Sequence, residues 1–261
     1  MLTKLLRNDL KKNMRWLWIL FVGIIAVAGI TRGCQELGES SLFFKILGIF
    51  FDSVYYALAV NVILQPFLRN FLNFTKSFYS DEAYLTHTLP VNKNHLITSK
   101  YITAIVEITL GFLCVVASLM VKFATPNMFD TLRLIISMVV VGDFSLALVL
   151  VLFVWLVIVE FLMFISIIYC SIVIAYRARE KRVLKTFLIT MGFSFVALGV
   201  LSVVMFVILL ANGLDITSQV LTLSSSVFMS VLIAGIAVYS VVIVVFYFLT
   251  RKLFKQGVNV D

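Results

Sequence analysis

From Leu146 to Tyr176 the chain carries a single charged side chain, Glu160, and five other stretches are nearly as apolar. Backbone in such surroundings must satisfy its own hydrogen bonds, which only helices and closed barrels achieve in lipid. Barrel strands alternate apolar and polar residues over about 10 positions. These runs are continuous and long, so each reads as a membrane-spanning helix. Composition agrees: 62% of residues are hydrophobic and 13% charged, against roughly 45–50% and 25% in a soluble domain. The predicted fold is an all-α integral membrane protein with spans at about 16–30, 46–68, 96–121, 146–176, 183–211 and 227–250, in one domain over 1–261.

Charge placement sets the expected topology. Residues 1–15 carry five Lys or Arg, and Leu2, Leu5, Leu6 and Leu10 recur at helical spacing, which predicts an amphipathic helix lying on the membrane surface. No small-x-small cleavage site follows, so 16–30 reads as an uncleaved span. Segments 1–15, 69–100, 177–185 and the C-terminal tail together hold 17 basic residues, whereas the opposite connections hold Arg32, Lys45, Lys122 and Arg133. Six spans with both termini in the cytoplasm satisfy the positive-inside rule. The +8 net charge therefore reads as a topology signal, and nucleic acid is not an expected partner. Two outer stretches, 131–145 and 211–226, are expected to be external or partly re-entrant.

Little points to catalysis. Cys34, Cys114 and Cys170 are far apart and lack metal-ligand spacing, so no metal site is expected. The histidines, His87 and His95, both fall in one polar segment, and nothing nucleophilic is arranged beside the His87/Glu82 pair. There is no G-x-x-x-x-G-K-[ST] phosphate cradle. The chain is therefore not expected to be an enzyme, and if ATP drives it, the nucleotide and its magnesium bind elsewhere.

The polar segment lies between spans two and three. In "FYSDEAYLTHTLPVNKNHLITSK", Phe78–Lys100, Ser80 is a good N-cap and Asp81 and Glu82 fill a first turn, where negative charge is favoured. Pro90 ends the helix, leaving Asp81–Leu89, and Asn92 or Asn94 can cap span three. Leu85 and Leu89 share a face, as do Tyr84 and Thr88. Chemistry alone leaves both a solvated connector and a docking element open.

The same residues resemble a known pattern. Asp81, Glu82, Tyr84, Leu85, Leu89, Pro90, Ser99 and Lys100 resemble the acidic pair, Tyr-Leu, Leu-Pro and Ser-Lys of ABC-2 type permeases, transmembrane subunits of Gram-positive bacterial ABC exporters. Ala83 stands where such permeases often have Gly. The ending "YFLTRKLFKQGVNV" is similar to that family's closing pattern. The resemblance implies that the segment is a coupling helix fitting a groove on a separate ATPase. Ser80, Asp81, Glu82, Tyr84, Leu85, Leu89 and Pro90 would then be the ATPase-coupling residues. It also implies two ATPase subunits, a second permease copy or paralogue, a plasma-membrane location, and export of amphipathic or antimicrobial peptides, drugs or lipids. Arg177, Arg179, Lys181 and Arg182 read either as topology signal binding anionic membrane lipids or as a secondary contact.

Polar residues inside spans are the candidates for a translocation path. Glu107 lies about 16 Å into span three, close to the middle of a hydrocarbon core of about 30 Å, and Glu160 is similarly placed in span four. Such carboxylates face the bundle interior or water. They either line a path or are protonated and hydrogen-bonded between helices. Asn61 and Gln65, one turn apart before Pro66, are expected to bond across helices. Two other readings stand beside the exporter: an ion-driven secondary transporter using Glu107 and Glu160, and a non-pumping peptide immunity or sensor protein.

Overall fold

The structure is a computed structural model, and it describes residues 2–38, 41–79, 93–123, 128–137, 140–141, 145–177, 181–212 and 223–256. Seven helices appear among them: α1 (Leu2–Leu37), α2 (Leu42–Tyr79), α3 (Lys93–Lys122), α4 (Met128–Ser137), α5 (Leu146–Ala175), α6 (Arg182–Ala211) and α7 (Ser225–Lys255). All but α4 are long and apolar enough to cross a membrane, which makes this a multi-pass helical membrane protein. Two two-residue strands, β1 (Val140–Val141) and β2 (Leu223–Ser224), pair in parallel. They join the two outer stretches that the sequence left as external or re-entrant.

Three boundaries differ from the sequence reading. The surface helix over 1–15 and the first span are one continuous helix of 36 residues. No Gly or Pro interrupts it before Gly23, so nothing forces a turn at the membrane surface. The second span runs on to Tyr79: no Gly or Pro lies between Leu68 and Tyr79, and Arg69, Asn70 and Asn73 find partners on α1 and α3. Asn94 lies within the first turn of α3 rather than capping it, while Asn92 is outside the described residues. The 10-residue α4 extends only about 15 Å, too short to span.

The chain divides into two compact units, Met1–Pro126 and Asn127–Asp261. In the first, Leu17, Phe21, Ile24 and Ala28 recur at four, three and four residues along α1 and are all buried, forming a core stripe with Tyr55 and Val62 of α2. Opposite them, Trp16, Trp18, Ile19 and Val22 remain exposed, as expected for a helix with one face in lipid. In the second unit, Val159, Met163 and Ile167 line α5 and meet Ala197 of α6 and Tyr239 of α7. Phe193 and Phe246 add an edge-on ring contact at 5.1 Å.

Proline sets one close approach. Pro66 lies inside α2 and has no N–H to offer the Val62 carbonyl four residues back. Gly111 of α3 faces that carbonyl, and a Cβ at 111 would stand only 3.2 Å from the Val62 oxygen. Gly111→Val is expected to force the helices apart and to cost about 1–3 kcal/mol, seen as a lower thermal midpoint in detergent. An unchanged midpoint would contradict the contact.

Candidate functional site

The predicted coupling residues Ser80, Asp81, Glu82, Tyr84, Leu85, Leu89 and Pro90 lie outside the described residues. What the structure describes is their foundation: the end of α2, the start of α3, and the part of α1 that binds both. A belt of polar side chains joins the three helices there. Asp9 of α1 accepts from Ser99 Oγ at 3.0 Å and pairs with Lys100 Nζ at 2.9 Å. One turn further on, Asn73 Nδ2 donates to Asn13 Oδ1 at 2.8 Å, and Arg69 donates to the Asn13 carbonyl at 3.2 Å. The Ser99 and Lys100 that carry part of the family resemblance thus fasten α3 to α1. A small cleft of about 150 Å³ opens among Asn8, Asp9, Lys12, Asn73, Ser99 and Lys100.

Glu107 closes this belt. It is fully buried, and Asn70 Nδ2 donates to its Oε2 at 2.8 Å and to the Pro66 carbonyl at 2.8 Å. The Asn13 side chain and the Arg69 guanidinium stand near the same carboxyl. Its Oε1 has no hydrogen bond of ordinary geometry among the described residues. Through Asn70 the carboxyl is bonded between α2 and α3.

At the opposite end of the unit Lys122 pairs with Asp52 and Arg32 reaches the Val121 carbonyl at 3.5 Å. From the belt to that far layer is about 22 Å along α3 and about 27 Å along α2, at about 1.5 Å per residue. No charged residue interrupts 108–121 of α3. Glu107 thus lies at the belt end of that uncharged stretch of α3. The sequence reading missed the belt, because Ser99 and Lys100 of α3 meet Asp9 on another helix. The signal was present in the sequence as Asp9, Asn13, Asn70 and Asn73, which composition-based span limits pass over.

Glu160 is half-buried in the other unit, near Tyr239. Asn61 is exposed and donates to the Ala57 carbonyl of its own helix at 2.9 Å. Gln65 is half-buried and makes no cross-helix hydrogen bond among the described residues. Among the described residues neither makes the expected bond across helices: a lone Asn on a helix is readily satisfied by the carbonyl four residues back.

In the basic connection, Arg177 donates to the Leu253 carbonyl at 2.6 Å and to Gln256 Oε1 at 3.2 Å. It closes the end of α7, where cations are favoured. Arg182 stacks over Tyr176 at 5.5 Å, and Arg179 is outside the described residues. Among the described residues no group of His, Cys, Asp and Glu could hold a metal ion.

No family model, curated protein or solved structure matches this chain.

Proposed function

We propose that this chain is the membrane-spanning subunit of an ATP-driven exporter of the ABC-2 type. Its motor would sit on two separate ATPase subunits, with a second permease copy or paralogue completing the assembly in the plasma membrane and both termini in the cytoplasm. The observation that carries this reading is the resemblance of Ser80–Lys100. The belt supports it physically. Both helices that deliver the segment are fastened to α1 by Asp9 and Asn13, so a push on the segment is borne by three helices rather than taken up in a slack loop. Asp81 and Glu82 pair with basic groups on the ATPase, and Tyr84, Leu85 and Leu89 supply apolar contact. The cargo is an amphipathic or antimicrobial peptide, or a drug or lipid of similar shape.

Affinity purification in mild detergent, with mass identification of bound subunits, tests this. An ATPase is expected with the chain, and purification of an intact permease without one would count against the proposal.

The buried carboxyl of Glu107, held by Asn70 between two helices, is the observation that favours the ion-driven alternative. Glu107→Gln and Glu160→Gln are expected to leave assembly intact and to reduce export. Unchanged export in both variants would remove these carboxyls from the transport step. Transport that persisted on a proton gradient without ATP would favour the alternative.

A further inference from the structure

At the end of the first unit opposite the belt, an ammonium sits in a box of aromatic rings. Lys122, the last residue of α3, is only 4% exposed. Its Nζ pairs with the Asp52 carboxylate. It lies 4.4 Å from the ring centroid of Tyr55, 3.9 Å from that of Tyr56 and 5.0 Å from that of Phe123. Ring faces gathered with a carboxylate are how proteins recognise ammonium groups, since the ring quadrupoles attract positive charge without fixing a hydrogen-bond direction. One wall is built independently of the lysine. Tyr55 is fully buried and its hydroxyl lies 3.1 Å from Ser118 Oγ. Ser118 gives its own proton to the Val115 carbonyl, so Tyr55 is the donor and its ring is held.

The counter-charge is also within reach from outside. The Asp52 side chain is 33% exposed and lines a cavity of about 440 Å³ with Cys34, Gln35, Lys45 and Gly48. Arg32, nearby on α1, is already paired with Glu36 at 2.9 Å. With Lys122 in place, the cavity and cage hold Lys45 and Lys122 against one carboxylate, so an incoming cation must displace the resident one. Lys122 can leave without unwinding a helix, because it sits at the end of α3 on a flexible four-carbon stem.

The geometry points to a receptor site for an alkyl or quaternary ammonium group, such as the cationic head of an amphiphile, which the chain's own Lys122 occupies until displaced. This goes beyond the exporter reading and stands without it, because binding to the site needs no ATPase.

Tetramethylammonium is the probe, tert-butanol its uncharged near-isostere, and sodium chloride at equal ionic strength the screening control. In the full chain, Lys122→Ala is expected to bind tetramethylammonium about tenfold or more tighter than the unmodified protein, the factor by which a tenant present about nine-tenths of the time masks a site. The readout is a concentration-dependent rise in thermal midpoint, which a further Asp52→Asn or Tyr56→Leu change erases. The unmodified chain supplies an arm that needs no substitution. Tetramethylammonium should increase acetylation of Lys122 by an amine-reactive reagent, measured by mass spectrometry, while tert-butanol and sodium chloride do not. Equal binding by variant and unmodified chain, an equal effect of tert-butanol, or unchanged acetylation of Lys122 would overturn the proposal.

Discussion

Asn70→Leu is expected to be the most destabilising single substitution in the first unit. The Asn70 amide gives its protons to Glu107 Oε2 and to the Pro66 carbonyl, and Leu can supply neither. Glu107 is fully buried, and the variant would remove the Asn70 bond to its Oε2. Orphaning a buried polar group costs about 1–3 kcal/mol, and about 3–5 kcal/mol where the orphan is charged. A fall of that size in detergent-solubilised stability is the expected result. The double variant Asn70→Leu/Glu107→Leu removes both partners and should recover much of the loss, since an apolar pair leaves nothing unsatisfied. The cycle then yields a coupling of about 0.5–3 kcal/mol. Single-variant losses that merely add in the double variant would show that the two side chains do not depend on each other.

The same pair shows how far the sequence could be read. Long apolar runs such as Leu146–Tyr176 made the six helices legible, because lipid allows no other regular structure without a closed sheet. The short length of 131–145 was legible for the same reason. What escaped was which polar residues meet. Asn13 and Asn73 are 60 positions apart and Asp9 and Lys100 are 91 apart; neither spacing carries a periodic signal. Apolar runs mark where lipid begins, not where a helix ends, so α2 was drawn short and Asn70 fell outside the span. Without Asn70 in the span, Glu107 reads as isolated. Asn61 and Gln65 misled in the opposite way: their polarity drew attention, yet Asn61 bonds within its own helix. The cage around Lys122 was equally hidden, because Asp52, Tyr55 and Tyr56 join it only when α2 lies along α3.

The second large effect is expected at the segment between α2 and α3. Reversing both acidic charges, Asp81→Lys with Glu82→Lys, is expected to leave in place the bonds that join Asp9 to Ser99, Asn13 to Asn73 and Asn70 to Glu107. Thermal midpoint and elution volume should therefore match the unmodified chain. Where those carboxylates meet basic groups on an ATPase, losing a paired charge costs about 2 kcal/mol or more, and like charges brought together add to that. Partner affinity should drop by more than about tenfold.

The most direct measurement is a parallel affinity purification of the unmodified chain and this charge-reversed variant in mild detergent, quantifying any bound ATPase by mass spectrometry. The account predicts an ATPase with the first and its loss from the second, with both permeases equally intact. An ATPase retained in equal amount by the reversed chain would contradict it.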